Sequence, residues 1–306
     1  MLIPPFLQIG SVVRLVSPAG VIDAALVKGA EKCLKNWGFT VQIGQYATAR
    51  HGRFAGSIEQ RLSDLQESLD DPQCSAIFCT RGGYGTVQLV DKLNWDAFRK
   101  HPKWLIGYSD ITMLHSILQK KGIASIHGGM AKALSESYLE EQAPVQLLRE
   151  ILFGSFPKYA SKVCDLNRLG IAKGFLCGGN LSILYSLRGT PFDSIQEKNI
   201  LFIEDIGEKP YVIDRMMHNL KLGGILSSIS GLIVGGFSDF EEDPLFGKTL
   251  REIIADAVSE YSYPVCFDFP VGHDGINLPM ICGTEVLLDV SQEGVSLQFL
   301  KTLIHA

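Results

Sequence analysis

A serine placed where a strand turns sharply into a helix can act as a nucleophile, because the turn exposes its hydroxyl and the following backbone N–H can hold a developing oxyanion. The segment Ile106-Gly-Tyr-Ser-Asp-Ile111 puts Ser109 in that position, between an apolar run and a helical one. Asp110 and Ile111 depart from the Gly-x-Ser-x-Gly pattern, so the N-cap of the following helix is an equally good reading of Ser109. A second segment, Thr80-Arg-Gly-Gly-Tyr-Gly85, also follows an apolar run and precedes a helical one. Successive glycines let a backbone approach a bound group closely and leave N–H donors to point at it. The segment reads as a phosphate loop, an oxyanion-stabilising turn or a tight structural turn. It does not meet the dinucleotide fingerprint, which needs a third glycine at a fixed offset.

A serine nucleophile needs a base, and the chain has seven histidines. His51 and His101 fall in polar loops, His115 and His218 on helices, and His305 in the tail. His127 ends a strand in Ser125-Ile-His-Gly-Gly129 and could contact substrate or act as the base. His273 stands in Phe269-Pro-Val-Gly-His-Asp-Gly275, where proline and glycines make a rigid exposed turn; a solvated loop histidine is the plain alternative. The strand Ile200-Leu-Phe-Ile-Glu-Asp-Ile206 ends in two acids. A carboxylate closing an apolar run is costly without a partner, so Glu204 or Asp205 is expected to meet an imidazole, or a cation such as Arg215. No His-Glu-x-x-His, cysteine tetrad or Asp-x-Asp loop is present, so no metal site is expected.

The elements that would hold these residues alternate through the first part of the chain. Strands are expected at 11–17, 39–43, 75–80, 104–108 and 123–126, and helices at 23–37, 57–71, 87–93 and 111–121. Alternation implies parallel pairing with right-handed crossovers, hence a doubly wound α/β domain over residues 1–130. In such a sheet, ligands bind beyond the carboxyl ends of the strands, where both serine and glycine segments fall. Periodicity fades over 131–173, which is read as a connecting segment. Residues 174–306 are strand-dense, with helices at 181–187, 212–222 and 250–261, and hairpin-like runs near the end suggest a β-rich, antiparallel or barrel-like domain.

Length and composition agree with this plan. The 306 residues suffice for two domains, and 46% hydrophobic with 20% charged residues exclude a disordered or fibrous chain. A formal charge of −5 without long basic runs argues against nucleic acid as a partner. The N-terminus lacks a basic region and carries Pro4 and Pro5, and the uncharged stretch 222–238 is rich in Gly and Ser, so neither a signal peptide nor a membrane span is expected. Seven cysteines without a Cys-x-x-Cys pair suit reduced, packed thiols in a cytoplasmic protein.

Together the segments resemble the LD-carboxypeptidase family of serine peptidases, which includes muropeptide LD-carboxypeptidases and microcin C immunity peptidases. The resemblance runs in order through Ser17-Pro-Ala-Gly20, Thr80-Arg-Gly-Gly-Tyr-Gly85, Gly107-Tyr-Ser-Asp110, His127-Gly128, Gly178-Gly-Asn-Leu181, Phe202-Ile-Glu-Asp205, Tyr211-Val-Ile-Asp-Arg215 and Val271-Gly-His273. It implies a Rossmann-like N-terminal domain, a β-rich C-terminal domain and an active site between them. Family roles fall on Ser109 as nucleophile, Glu204 as acid and His273 as base, with the backbone N–H groups of Gly83 and Asp110 as oxyanion donors. It further implies a cytoplasmic homodimer without cofactor that cleaves terminal D-Ala from murein tetrapeptides in cell-wall recycling. Arg81 is then a candidate clamp for the terminal carboxylate, or a buttress of its own turn, and His127 a candidate substrate contact. Two alternatives remain at this point: an immunity-type peptidase acting on a peptidyl nucleotide amide, and a non-catalytic α/β protein that binds an anion at Gly83–Gly85.

Overall fold

In the computed structural model, residues 1–136, 143–240 and 243–301 are described, and the chain divides into two compact units, Met1–Ser155 and Phe156–Ala306. Residues 137–142 of the expected connecting segment, and His305, lie outside the described residues.

The first unit alternates strand and helix: β1 (Val12–Val16), α1 (Ala24–Asn36), β2 (Thr40–Ile43), α2 (Ile58–Asp70), β3 (Cys74–Cys79), α3 (Asp96–Lys100), β4 (Trp104–Gly107), α4 (Thr112–Lys120) and β5 (Ser125–His127). The strands pair in parallel in the order β5-β4-β3-β1-β2. Strand order reverses between β1 and β3, so the loops leaving these two strands flank the switch point where doubly wound sheets bind ligands. They are tied together there: the Ser17 and Thr80 hydroxyls lie 2.5 Å apart. Helix starts follow local chemistry. Asp23 caps α1 by accepting from the Ala25 N–H, and Ser57 with Gln60 forms the expected capping box of α2.

Between β3 and β4 the expected helix at 87–93 is replaced by one 3₁₀ turn, Thr86–Gln88, followed by turns. The chain there is held from outside. The Thr86 N–H donates to the Asp110 carboxylate at 2.9 Å, and the Asn94 N–H donates to the Gln66 side chain at 2.9 Å, so both flanks of the segment are fixed by side chains of other elements.

The segment expected as a connection is largely folded. Helices α5 (Ala131–Glu136) and α6 (Ala143–Leu152) belong to the first unit. A Cβ at Gly29 of α1 would stand 2.0 Å from the Ser135 hydroxyl, so α5 packs directly on α1 through a residue without a side chain. The end of α6 is fixed by the Leu7 N–H to the Leu152 carbonyl, 2.8 Å, and by Phe153 stacked on Phe39 at 5.5 Å.

The second unit contains β6 (Lys158–Ser161), β7 (Gly170–Asn180), α7 (Leu181–Leu187), β8 (Ile200–Ile206), α8 (Pro210–Leu222), α9 (Ile225–Ser228), β9 (Gly231–Ser238), α10 (Leu250–Ala257), β10 (Val265–Cys266), β11 (Met280–Cys282), β12 (Glu285–Val290) and β13 (Val295–Phe299). Its sheet runs β10-β9-β8-β7-β12-β13-β6. β7 serves two patterns: residues 170–175 pair antiparallel with β12, and residues 176–180 pair parallel with β8. Just before β7, Arg168 makes an antiparallel bridge to Val265 of β10, with N–H to carbonyl distances of 2.9 and 3.1 Å. The parallel half therefore curls back on the chain entering it, which gives the β-rich unit its barrel-like character. Leu201, Ile203, Met216, Leu220, Leu232 and Ile254 are among the side chains that fill its core beneath α8 and α10. Among the described residues, no helix is long and apolar enough to cross a membrane.

Candidate active site

In the first unit, β4 ends at Gly107, Tyr108 is extended (φ −152°, ψ −173°), and Ser109 turns left-handed with φ 64° before a 3₁₀ turn leads into α4. A non-glycine residue in that region costs about 1–3 kcal/mol and persists only where its surroundings enforce it. The enforcement is visible. A Cβ at Gly107 would lie 3.0 Å from the Ile111 side chain and 3.1 Å from that of Cys79, so the end of the strand is closely enclosed. The Gly107 carbonyl accepts from the Gly128 N–H at 3.1 Å and from His115 Nε2 at 2.8 Å. Because a carbonyl can only accept, Nε2 of His115 carries the proton, and Nδ1 accepts from the Ser125 hydroxyl at 2.8 Å. Burial pushes the His115 pKa down to about 4, which keeps the ring neutral.

The glycine turn lies against this elbow. Gly83 and Gly85 have φ of +97° and +135°, and a Cβ at Gly82 would come within 2.8 Å of the Ser109 Cβ. The turn is moored to the Ser17-Pro-Ala-Gly20 loop by the Gly20 N–H to the Gly82 carbonyl, 3.0 Å. Arg81 buttresses it, Nη1 donating to the Val21 carbonyl at 2.5 Å, while the residue as a whole is exposed. Asp110 is buried and accepts from the Thr86 N–H at 2.9 Å. Its carboxyl pKa is raised by burial, opposed by the Thr86 hydrogen bonds and the Arg61 charge. His127, fully buried, lies with its ring 5.6 Å from that of Tyr108 and 6.4 Å from that of His115. It sits behind the elbow, packed among rings.

In the second unit, Glu204 and His273 are joined. Oε2 of Glu204 and Nδ1 of His273 are 2.6 Å apart, with Glu204 fully buried and the imidazole 12% exposed. Burial raises the Glu204 pKa against the opposing pull of the His273 hydrogen bond. For His273 burial works downward, but the Glu204 hydrogen bond and charge, with smaller help from Asp205 and Asp274, outweigh it and raise the pKa above 6.5. The approach needs a glycine: Gly272 has φ +128°, and a Cβ there would stand 2.9 Å from the Glu204 Cβ. β7 brings Asn180 opposite Glu204, and Gly178 admits the Phe202 carbonyl so closely that a Cβ would be 1.9 Å from it.

Asp205, the neighbouring acid, faces other partners. It accepts from Asn180 Nδ2 at 2.8 Å and from the Ser182 N–H and hydroxyl at 2.9 and 2.8 Å. Strand residues alternate in direction, so two adjacent acids cannot both serve one imidazole. Asp205 holds the start of α7, and Glu204 holds the histidine. Arg215 is not the partner of either carboxylate; its guanidinium lies over the Tyr211 ring at 5.5 Å.

The sequence profile described as the LD-carboxypeptidase N-terminal domain matches residues 13–128, which contain Gly83 and Ser109, and that of the C-terminal domain matches 173–288, which contain Glu204 and His273. The chain belongs to the LD-carboxypeptidase family. A "probable murein peptide carboxypeptidase" of Bacillus subtilis is 33% identical, the alignment covering 98% of this chain and 97% of that protein. The crystal structure of a muramoyltetrapeptide carboxypeptidase from Oxalobacter formigenes superposes with a TM-score of 0.85 at 28% identity, covering 94% of this chain and 98% of that one. A microcin C7 self-immunity protein of Escherichia coli is 25% identical, covering 88% and 87%.

Sequence reasoning gave no role to two groups that shape the site. Asn180 and Ser182 secure Asp205, and their signal was an asparagine between a strand and a helical run, the usual place of an N-cap. Arg61 is buried on α2, as is Asp64, and no local pattern marks it.

Proposed function

We propose that the chain is a serine-type LD-carboxypeptidase that releases terminal D-Ala from murein tetrapeptides, with Ser109 as nucleophile, His273 as base and Glu204 as the acid that orients the base. The observation that carries this reading is the 2.6 Å contact between the buried Glu204 carboxylate and Nδ1 of His273. With Nδ1–H given to Glu204, the lone pair of the neutral ring is at Nε2, the atom that takes the Ser109 proton as the hydroxyl attacks the scissile carbonyl. Glu204 then faces the imidazolium and stabilises it. The Gly83 and Asp110 N–H groups would receive the oxyanion, a role supported by the left-handed elbow and the turn that touches it. Collapse of the tetrahedral intermediate transfers the proton from His273 to the departing D-Ala amine, and water hydrolyses the acyl-enzyme by the same route.

Arg81 keeps guanidinium N–H groups beyond the one bound to Val21 and serves in this reading as the clamp for the terminal carboxylate. His127, buried beneath Tyr108, would act on substrate only through that ring. The protein is read as a cytoplasmic homodimer that needs no cofactor, in keeping with murein-peptide recycling. Cleavage of a peptidyl nucleotide amide is the second reading, supported by the likeness to the self-immunity protein. It ranks lower because the murein-named relative is closer, 33% against 25% identical.

The test is incubation of the purified protein with a murein tetrapeptide, following D-Ala by mass. Tripeptide and D-Ala should appear, and Ser109→Ala should suppress them by a factor on the order of 10⁴ or more. Undiminished release by that variant overturns the assignment.

A further inference from the structure

The Gly85–Thr86 peptide group is held from both sides by opposite charges. Its carbonyl, on Gly85, accepts from Arg61 Nη1 at 2.9 Å; its N–H, on Thr86, donates to Asp110 Oδ2 at 2.9 Å. Arg61 and Asp110 are each 2% exposed. The same Arg61 Nη1 also donates to the Pro18 carbonyl at 2.8 Å, Nη2 donates to Gln88 at 2.6 Å, and the guanidinium lies 4.9 Å from the centre of the Phe54 ring. One cation thus ties together α2, the loop leaving β1 and the end of the glycine turn, while Asp110 ties that end to the elbow itself.

We propose that Arg61 and Asp110 are positioning residues for the proposed hydrolysis: by clamping the Gly85–Thr86 peptide, they fix the Gly82–Gly83 turn against Ser109 with its donors aimed at the oxyanion. The proposal rests on Ser109 being the nucleophile. A glycine-rich turn is free to rotate its peptide planes, since glycine populates positive and negative φ with similar ease. Three glycines in Arg81-Gly-Gly-Tyr-Gly85 would leave the Gly83 N–H without a fixed direction. Pinning one peptide by its carbonyl and N–H together forbids its rotation; the peptide that carries the Gly83 N–H is held through its Gly82 carbonyl by the Gly20 N–H at 3.0 Å, and Arg61 secures that loop as well through the Pro18 carbonyl. The charge balance matters as well. A lone buried carboxylate beside a developing oxyanion would oppose it, and the Arg61 cation compensates.

The test is steady-state turnover of the full chain on a murein tetrapeptide, with the rate of Ser109 phosphonylation by a fluorophosphonate measured in parallel. Asp110→Ala should lower kcat by about 100-fold and phosphonylation by a similar factor, with KM within about threefold, since one misdirected oxyanion donor acts only in the transition state. Asp110→Asn, whose amide oxygen can accept the same Thr86 bond, should recover about tenfold of that loss. Arg61→Lys keeps the charge but not the fork, and should cost about tenfold in kcat. A folded Asp110→Ala protein with unchanged kcat, or one altered in KM alone, overturns the proposal. If that variant does not fold, unchanged kcat in Arg61→Lys does so. When Ser109→Ala is dead and these variants are fully active, only the positioning role falls; release surviving in Ser109→Ala removes the nucleophile reading and this proposal with it.

Discussion

His115 in the first unit and His273 in the second are both largely removed from solvent and both hydrogen-bonded, yet their pKa values move in opposite directions. His115 has neutral partners, the Gly107 carbonyl and the Ser125 hydroxyl, so burial wins and the pKa falls to about 4. His273 has a buried carboxylate, and that charge overcomes burial. The comparison shows that burial alone does not make a histidine chemically competent; the charge of its partner does. His115 is a fixed neutral donor that shapes the serine elbow, whereas His273 is able to exchange a proton.

Removing the carboxylate should break the contrast with the largest effect. Glu204→Gln is expected to lower kcat on a murein tetrapeptide by about 10⁴-fold, as loss of the orienting acid misdirects the imidazole. The acid limb of the kcat/KM profile should also move. In the proposed mechanism His273 must be neutral to accept the Ser109 proton, so wild-type activity should fall as pH drops through a value above 6.5, and in Glu204→Gln the limb should shift downward because burial is then opposed only by the smaller influence of Asp205 and Asp274. An unshifted limb would assign it to another group.

The neutral histidine gives the next largest effect, on stability. Between pH 6.5 and about 4 the unfolded chain protonates His115 while the folded chain does not, so stability should be lost as pH falls through this window, by about 3 kcal/mol from this group. His273 contributes with the opposite sign: its share is present below 6.5 and lost as pH rises through its raised folded value. Urea midpoints of wild type and His115→Asn, compared at neutral pH and near pH 4, should converge on acidification. A constant gap would mean that His115 titrates in the fold as it does in water.

The smallest effect sharpens the geometry around the charged pair. Gly272→Ala puts a Cβ 2.9 Å from that of Glu204 at a φ of +128°, and should destabilise the second unit by about 2 kcal/mol while weakening turnover. Thermal unfolding checks this; an unchanged midpoint would show that the turn can yield without disturbing the pair.

The alternating strands and helices of the first unit were legible because each carries a clear period, and the glycine turn and serine elbow were legible because their residue types are unusual at strand ends. The pairing of Glu204 with His273 was only half legible. Alternation along β8 says that Glu204 and Asp205 point apart, but not which one meets the imidazole, 69 residues away in the chain. His127 kept a place among the candidates because it ends a strand at the right edge, and only the packing of Tyr108 and His115 around it shows that it is enclosed. The short helices α3 and α5 were obscured by having few turns in which a period could register, whereas α6 carries a helical period in Val145, Leu148, Ile151 and Leu152 that reading 131–173 as a connection passed over. The missing helix at 87–93 shows the reverse case: apolar spacing suggested a helix where the chain forms one 3₁₀ turn and further turns, with its flanks held by Asp110 and Gln66.

The double pairing of β7 also bears on how the chain assembles. Residues 176–180 find their parallel neighbour in the next strand, β8, but 170–175 wait for β12, more than a hundred residues downstream. During synthesis that half remains a bare edge carrying Ile171, 69% exposed even in the finished fold. Such edges recruit strands from other chains. The closing hairpin of β12 and β13 is therefore a seal, and a ribosome released before residue 285 would deliver a sticky product.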